Sequence, residues 1–285
     1  MTRSLWVVVA LLAAACGGGQ PRSAPASSSA APSTSSSTTT TTLAPTSTTA
    51  APTTTTLPPT TAPPATFTGT VVVLDPGHNE RNSSHPSEIN QPVDIGNGSK
   101  ACDTTGTATD GGYTEAAFTT DVAGRVAGLL RDAGITVVVT RDASTPWGPC
   151  ITRRAAIGNE ANAVAAISIH ADGGPPDGRG FHVIRPLLVA GYNDNIIEPS
   201  RQLALAVRDA FSAVTGLPFS NYLGSDGIDA RDDLGGLNLS TVPKVFIETG
   251  NMRNATEASL LEDPAVRQQI AAGIADGLLR FVRAT

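Results

Sequence analysis

Thr-Val-Val-Val-Leu-Asp-Pro-Gly-His, residues 70–78, is the stretch that decides the fold. It begins with a continuous run of large apolar and β-branched residues, which predicts a strand buried on both faces of a parallel sheet. Pro76 and Gly77 end this run, and His78 follows them directly. In an open α/β sheet, ligands gather at the carboxyl ends of the strands. His78 is therefore a candidate for a site at that edge.

Strands and helices alternate along the rest of residues 68–285. Apolar runs predict further strands at residues 135–139, 163–169, 181–184 and 242–247. Helices are predicted at residues 116–133, 151–161, 200–214 and 264–282, the first of which carries apolar residues at helical spacing. Glycines at 134 and 216 follow two of these helices, where glycine commonly ends a helix. We therefore predict an α/β fold: a single domain with a twisted, mostly parallel sheet and helices on both faces.

Residues 1–16 have the organisation of a secretory signal peptide. Arg3 precedes an apolar run, residues 5–15, which is too short to cross a bilayer as a stable helix. Cys16 follows three alanines in an arrangement that resembles the lipobox of bacterial lipoproteins, whose cysteine is diacylated. The lipobox leucine is displaced by one position, since Leu12 lies four before the cysteine. An ordinary cleaved signal peptide with an incidental Cys16 is the alternative.

Residues 17–67 are predicted to be a disordered linker. From residue 20 to residue 66 the chain is mostly Ser, Thr, Pro and Ala, with Leu43 and Leu57 as its large apolar residues. Such a composition buries too little apolar surface to fold. An extended segment of this kind reaches on the order of 140 Å at about 3.1 Å per residue. It suits a domain that is tethered to a membrane and acts outside it, and a passive stalk is the alternative.

The cysteines indicate a possible disulfide, and the net charge bears on whether the protein binds nucleic acid. If Cys16 carries a lipid, Cys102 and Cys150 remain, and an exported protein can join them in a disulfide. Zinc ligation by these two is the weaker alternative, because they lack the short paired spacing of zinc cysteines. The formal net charge of -6 argues against a nucleic-acid partner, which would favour a basic surface.

Three more ionisable residues join His78 as candidates for one site. His170 and Glu248 each come directly after a predicted strand, as His78 nearly does. Glu115 lies at the start of the first predicted helix, where a carboxylate is often present only because it suits the helix dipole. Taken together, His78, Glu115 and His170 form a His2Glu set, which in catalytic zinc sites leaves one position open for water.

The globular part resembles the zinc-dependent N-acetylmuramoyl-L-alanine amidases of the amidase-3 type. The resemblance runs from about residue 71 to residue 281, and its motifs occur in the family's order. They are Leu-Asp-Pro-Gly-His at 74–78, Thr-Glu at 114–115, Val-Thr-Arg-Asp at 139–142, Arg-x-x-Ile and Ala-Asn within 154–162, Ser-Ile-His-Ala at 168–171, and Val-Pro-Lys-Val-Phe-Ile-Glu-Thr-Gly at 242–250 with Asn254 beyond it.

This resemblance implies an enzyme that hydrolyses the amide between the lactyl group of muramic acid and L-alanine in peptidoglycan. It implies that His78, Glu115 and His170 bind zinc and that Glu248 is the catalytic acid and base. A zinc carboxypeptidase or deacetylase acting on other wall bonds is one alternative. A catalytically silent wall-binding module is another, although a silent homologue need not retain Glu248 beside all three ligands.

We also expect the protein to be exported and to act in the cell envelope as a monomer. Peptidoglycan or muropeptides are the expected substrate, no nucleic acid is expected as a partner, and the membrane is contacted only through a lipid on Cys16. Two positions depart from the family's usual pattern. Asn251 follows Gly250 where the family usually has Phe, and Thr119 stands where the helix after the metal-binding Glu usually carries Asn.

Several other polar residues have open interpretations. Asp75 either orients a metal-binding histidine or forms a turn, and Arg154 either meets a substrate carboxylate or forms a salt bridge. His85 is expected at the surface, and His182 is expected to be structural. Residues 79–110 are too long and too polar for a simple connection. We therefore expect them to shape or partly cover the groove, with little local order apart from the restraint at Cys102; a passive insertion is the alternative.

Overall fold

The computed structural model describes Phe67 and residues 69–285. The predicted signal peptide, Cys16 and nearly all of the predicted linker lie outside these residues. In the part that is described, no helix is both long enough and apolar enough to cross a membrane.

Six strands form one sheet, and two more form a small separate hairpin. The strands are β1 (Val71–Pro76), β2 (Pro92–Asp94), β3 (Ser99–Ala101), β4 (Thr136–Val139), β5 (Ala165–Asp172), β6 (His182–Pro186), β7 (Ile228–Arg231) and β8 (Lys244–Asn251). The sheet order is β4-β1-β5-β8-β6-β7, and β2 pairs with β3 in the hairpin. The neighbouring strands β4, β1, β5 and β8 are parallel to one another, whereas β6 is antiparallel to β8 and parallel to β7. The predicted mostly parallel sheet is confirmed.

Helices cover both faces of the sheet, as predicted. They are α1 (Pro86–Ile89), α2 (Glu115–Asp132), α3 (Ile151–Glu160), α4 (Ile197–Thr215), α5 (Gly235–Asn238), α6 (Ala255–Glu262) and α7 (Pro264–Ala284), with short 3-10 helices at Asn82–Ser84 and Asp194–Ile196. One face carries α7, which packs against both α2 and α4, and these two helices pack against the strands. The other face carries α3 and the short α5.

The alternation of side chains along each strand determines which face of the sheet a side chain lies on. In β5, Ile167 and Ile169 belong to the large core under α2, α4 and α7. Because successive strand residues point to opposite faces, Ser168 and His170 point to the side of α3. The same alternation in β8 sends Ile247 into the large core and Glu248 to the side of His170. The site therefore lies on the α3 side of the sheet, at the carboxyl ends of the parallel strands.

Several elements differ from the sequence prediction. β5 and β8 continue past their apolar runs, so that His170 and Glu248 lie inside paired strands rather than after them. β7 was not predicted because its sequence, Ile-Asp-Ala-Arg, has neither an apolar run nor full burial. Gly-Gly-Leu-Asn carries no helical pattern, so α5 was not predicted, and α6 was not predicted either.

The expectation of little local order in residues 79–110 is wrong. This segment contains α1 and the β2–β3 hairpin, and side chains fix its loops. The Asn82 amide donates to the carbonyl of Thr104 at 2.7 Å, while its oxygen accepts from the backbone N–H of Gly148 at 2.8 Å. Asn and Asp side chains satisfy backbone groups that no regular element pairs, which orders a polar sequence without an apolar pattern.

Candidate active site

Three side chains from three separate elements meet at the carboxyl edge of the sheet. His78 follows β1, Glu115 is the first residue of α2, and His170 lies in β5. Glu115 bridges the two imidazoles: Oε2 is 3.1 Å from Nε2 of His78, and Oε1 is 2.8 Å from Nδ1 of His170. One ligand atom from each of the three residues lies within 4.8 Å of the others. The structure thus brings the three predicted zinc ligands together.

The Glu115 carboxylate is held by backbone groups as well as by the histidines. Thr114 caps α2 with its hydroxyl, which accepts from the N–H of Ala117 and so fixes the first turn. The N–H of Thr107 donates to Oε2 of Glu115 at 3.0 Å, and the N–H of Ala171 donates to Oε1 at 3.3 Å. The position of this buried carboxylate is therefore set before any ligand arrives.

The turn after β1 brings the backbone close to the ring of His170. A Cβ on Gly77 would lie 2.2 Å from Cε1 of His170, so only glycine fits beside that ring. His78 itself has a φ of 55°, in the left-handed region that non-glycine residues rarely adopt. Strain of this kind persists only where surrounding contacts hold it. Here it turns the His78 ring toward Glu115.

The electrostatics of the cluster are set by Glu115. Burial alone would lower the pKa of His78, but the Glu115 carboxylate beside it raises that pKa above its ordinary value. Burial alone would raise the pKa of Glu115, but His78 and His170 hold it well below its ordinary range. Nδ1 of His78 faces the carbonyl of Thr104 at 3.2 Å. A proton on that nitrogen leaves Nε2 free as the ligand atom.

The donor set fits a zinc ion. Two imidazoles and one carboxylate are ligands that zinc takes in catalytic sites, and the fourth position is normally left to water or substrate. The open side of the cluster here is a cleft, because His78 and His170 both line the cavities in front of it.

Glu248 stands beside this cluster without belonging to it. It pairs in register with His170 across β5 and β8, so both side chains point into the cleft from neighbouring strands. Burial raises the pKa of Glu248 well above its ordinary value, and the carboxylates of Glu115 and Asp172 raise it further against the opposing effect of Arg231. A carboxyl group with this environment is suited to accept and return a proton near neutral pH.

Two adjoining cavities form the cleft. One has a volume of about 280 Å³ and is mainly apolar, with Ile151, Leu234 and Phe246 in its wall. The other has a volume of about 360 Å³ and contains Glu115, Glu248 and the charged groups next to them. Both cavities include His78 and His170, so the ligand cluster lies where they join.

A buried charge network lies directly beneath the site. Asp75 of β1 accepts from Arg154 at 2.9 Å and from Lys244 at 3.1 Å, and all three side chains are at most 5% exposed. Arg154 also pairs with Asp103 at 2.9 Å and donates to the carbonyl of His78 at 2.9 Å. Arg154 therefore forms salt bridges and fixes the His78 backbone. Asp75 makes no hydrogen bond to His78 or His170 and lies within a strand rather than a turn; its ion pairs link strands β1 and β8 to α3.

The two departures from the family pattern have structural explanations. Thr119 donates its hydroxyl to the carbonyl of Gly77 at 2.8 Å, which fixes the turn beneath the ligand histidines. Asn251 donates its side-chain amide to the carbonyls of Pro175 and Gly178, at 2.7 and 2.9 Å. Each polar side chain thus holds a loop next to the site.

Residues 100–107 form part of the cleft wall, as expected for the 79–110 segment. In the structure a disulfide joins Cys102 to Cys150, with Cα atoms 4.4 Å apart. Cys150 is the residue before α3, and Cys102 is two residues before Thr104. The disulfide therefore links the helix that carries Arg154 to the loop that contacts His78.

The other two histidines lie outside the ligand cluster. His85 is partly buried and stacks on Trp147, with ring centroids 6.2 Å apart. His182 is fully buried in β6. Sequence reasoning treated His182 as structural, and the structure places it directly opposite Glu248. The available signal was a single histidine within an otherwise apolar strand.

Comparison with known proteins identifies the family of this chain. A family model described as N-acetylmuramoyl-L-alanine amidase, Amidase_3, matches residues 72–280. The chain belongs to this family. The amidase is 39% identical over 227 residues to the N-acetylmuramoyl-L-alanine amidase Rv3717 of Mycobacterium tuberculosis, with 78% of this chain and 90% of that protein covered.

The amidase is also similar to the solved structures of two amidases, from Mycobacterium smegmatis and Mycobacterium abscessus. The N-acetylmuramyl-L-alanine amidase Ami1 of Mycobacterium smegmatis is 39% identical, with a TM-score of 0.72 over 78% of this chain and 100% of that one. The apo form of Ami1 from Mycobacterium abscessus is 40% identical, with a TM-score of 0.70 over 75% of this chain and 99% of that one. The predicted family, enzyme class and fold are confirmed.

Proposed function

We propose that this amidase uses zinc to hydrolyse the amide between the lactyl group of muramic acid and L-alanine in peptidoglycan stem peptides. His78, Glu115 and His170 hold the metal, and Glu248 is the general base and acid. The observation that carries the proposal is the register of β5 and β8, which puts Glu248 next to His170 at the edge of a preformed His2Glu cluster.

Zinc, when bound, supplies Lewis-acid polarisation of the carbonyl and makes water more acidic. The remaining work belongs to the chain. Glu115 and His78 keep their positions through backbone contacts to Thr107 and Thr104, and the His170 ring is held by Glu115 at 2.8 Å. These contacts limit the reorganisation that substrate binding requires.

Glu248 moves the proton. With its pKa raised by burial and by neighbouring carboxylates, its ionised form is a stronger base than an ordinary carboxylate. It takes a proton from the attacking water and returns it to the departing alanine amine, so that the leaving group departs neutral. The two cavities receive the substrate on either side of the scissile bond, with the amide where they join.

Product analysis tests the reaction. Purified muropeptides digested with the zinc-loaded enzyme are expected to give free stem peptides with N-terminal alanine and glycan strands that keep their lactyl groups, as read by mass spectrometry. Shortened peptides alone would indicate a carboxypeptidase, and deacetylated sugars alone would indicate a deacetylase.

Two variants test the division of roles. His170→Ala is expected to lose zinc and activity together, whereas Glu248→Gln is expected to keep zinc and lose activity. His85→Ala, which changes a histidine outside the cluster, is the matched control and should behave as the unchanged enzyme. A Glu248→Gln variant that stays active, or one that releases the metal, would contradict the assignment.

The same proposal places the enzyme in the cell envelope. Residues 1–16 direct export, Cys16 is lipidated, residues 17–67 span the distance to the wall, and residues 68–285 act there as a monomer. Mass spectrometry of the N-terminal peptide from membrane fractions tests the lipid, with Cys16→Ser as the control. Unmodified Cys16, or cleavage elsewhere, would contradict the anchor without affecting the catalytic assignment.

A further inference from the structure

One row of side chains crosses three neighbouring strands at the edge of the active site. His170 of β5 pairs in register with Glu248 of β8, and Glu248 pairs in register with His182 of β6. Residues opposite each other on antiparallel strands point to the same face, with Cβ atoms about 4.5–5.5 Å apart. His182 therefore stands beside Glu248, on the side away from the metal-binding cluster.

The polar groups of this pair are buried and complementary, although they do not form a hydrogen bond with each other in this structure. Within Phe67 and residues 69–285, both ring nitrogens of His182 and Oε2 of Glu248 are buried without a hydrogen-bond partner. An unpaired buried donor or acceptor costs free energy, and such groups are rare in folded proteins. A neutral imidazole has one N–H to donate, and a carboxylate can only accept. Each residue therefore supplies what the other lacks.

The neighbours of His182 have other partners. Tyr222 presents its ring edge to the imidazole, with centroids 6.3 Å apart, and its hydroxyl donates to Asp172 at 3.1 Å. Arg231 forms a two-point ion pair with Asp233, at 2.8 and 2.9 Å. Burial lowers the pKa of His182, which keeps its ring neutral. Of the carboxylates around His182 that the structure describes, Asp172 accepts from Tyr222 and Asp229 accepts from the N–H of Ala230, whereas Glu248 has a buried oxygen without a partner.

We propose that His182 is a positioning residue for Glu248: rotation of the two neighbouring side chains lets the His182 ring N–H donate to Oε2 of Glu248, and this hydrogen bond turns the other carboxylate oxygen toward the cleft. The inference rests on the proposed role of Glu248 as the proton carrier. The His182 proton stays on the ring throughout, while the proton taken from water travels on the cleft-facing oxygen. A carboxylate held in this way keeps its lone pair aimed at the reacting water, which ordinary packing would not ensure.

Replacement of the ring nitrogens tests the proposal. His182→Phe keeps a buried aromatic ring but removes the donor. In zinc-loaded protein on soluble muropeptide, it is expected to lower kcat roughly 10- to 100-fold, as loss of a hydrogen bond to a charged group would, with KM and zinc content within about twofold. His182→Asn and His182→Gln restore an N–H near the positions of the two ring nitrogens. At least one of them should recover most of the lost kcat.

Matched controls separate the possible failures. His85→Phe makes the same substitution outside the site and should leave kcat and KM unchanged. An active His182→Phe enzyme would overturn the proposal. Equal losses in all three His182 variants would overturn it too, since packing alone would then explain the residue. An active Glu248→Gln enzyme would instead overturn the proposed function on which the inference rests.

A spectroscopic measurement covers the case in which His182→Phe does not fold. In zinc-loaded enzyme with 15N-labelled histidine, His182 should show one protonated ring nitrogen in a hydrogen bond, assigned by its absence in His182→Gln. That signal should move in Glu248→Gln, where the acceptor is changed, and stay in place in His85→Phe. A His182 signal that does not respond to Glu248→Gln would contradict the contact.

Discussion

Asp75→Asn tests how much stability the charge network beneath the site supplies. Oδ1 of Asp75 accepts from Thr140 at 2.6 Å and from Arg154 at 2.9 Å, and Oδ2 accepts from Ser168 at 2.6 Å and from Lys244 at 3.1 Å. Asn removes the negative charge and turns an N–H2 group toward one of these donor pairs. Lys244, at 1% exposure, then has no counter-ion in this network.

The expected loss is large. Breaking a buried ion pair by removing one partner typically costs 3–5 kcal/mol, because an uncompensated charge remains. A domain of this kind is stable by only about 5–15 kcal/mol, so Asp75→Asn should lower the urea midpoint markedly. Asp276→Asn is the matched control, because Asp276 is 35% exposed and pairs with Arg280 on the exposed side of α7. That change should cost about 0–1 kcal/mol.

Two further measurements sharpen the test. Asp75→Asn combined with Lys244→Met should regain stability relative to Asp75→Asn, because no unpaired ammonium remains. The pH dependence has a defined sign: folding holds the pKa of Asp75 well below its ordinary value, so the unfolded chain takes up its proton first as the pH falls below about 4. The advantage over Asp75→Asn should therefore shrink in acid. A loss below about 1 kcal/mol at neutral pH would refute the reasoning.

Three more outcomes follow from the structure. The disulfide between Cys102 and Cys150 closes a separation of 48 residues, so its reduction should lower stability by about 4 kcal/mol in the chain-entropy model and reduce turnover without loss of zinc. Thermal melts, activity assays and metal analysis in parallel check this. Unchanged turnover would show that residues 79–110 are a passive insertion. Gly77→Ala should displace His170 and lower zinc affinity. Gly124→Ala, whose added methyl group in α2 would meet nothing within 4 Å, should stabilise the protein by about 0.5–1 kcal/mol. Equal zinc affinity in both variants would show that the turn after β1 can shift to accept a side chain. Removal of zinc with a chelator should abolish activity, and added zinc should restore it. The chelated protein should be less stable by about 2.7 kcal/mol than protein with zinc at a hundred times its dissociation constant. A melting temperature that does not respond to zinc would argue against the site.

Sequence reasoning could reach the residues that stand next to strong patterns. His78 and His170 adjoin apolar runs, and runs of that kind are the clearest signal of buried parallel strands. Glu115 could be placed because a helix with a regular apolar face begins there. The family resemblance then implied that these three residues bind zinc and that Glu248 is the catalytic acid and base.

The remaining features depend on contacts that no local pattern encodes. Arg154 had two equal interpretations, and its burial against Asp75 and Asp103 decides between them. The direction of β6 cannot be derived from its five residues, because it follows from the antiparallel pairing with β8. That direction is what brings His182 opposite Glu248, so the relation between these two residues could not be predicted from the sequence.

The place of β8 in the sheet has a consequence for how the protein is made. This strand comes last in the sequence yet lies between β5 and β6, and its Lys244 meets a partner 169 residues earlier. Contacts of such long range form slowly, since a large loop must close first. Until β8 is inserted, β5 and β6 each present an open edge that invites association with other chains. A chain cut short before residue 244 is therefore expected to aggregate, and the domain gains its proton carrier only in the step that completes its sheet.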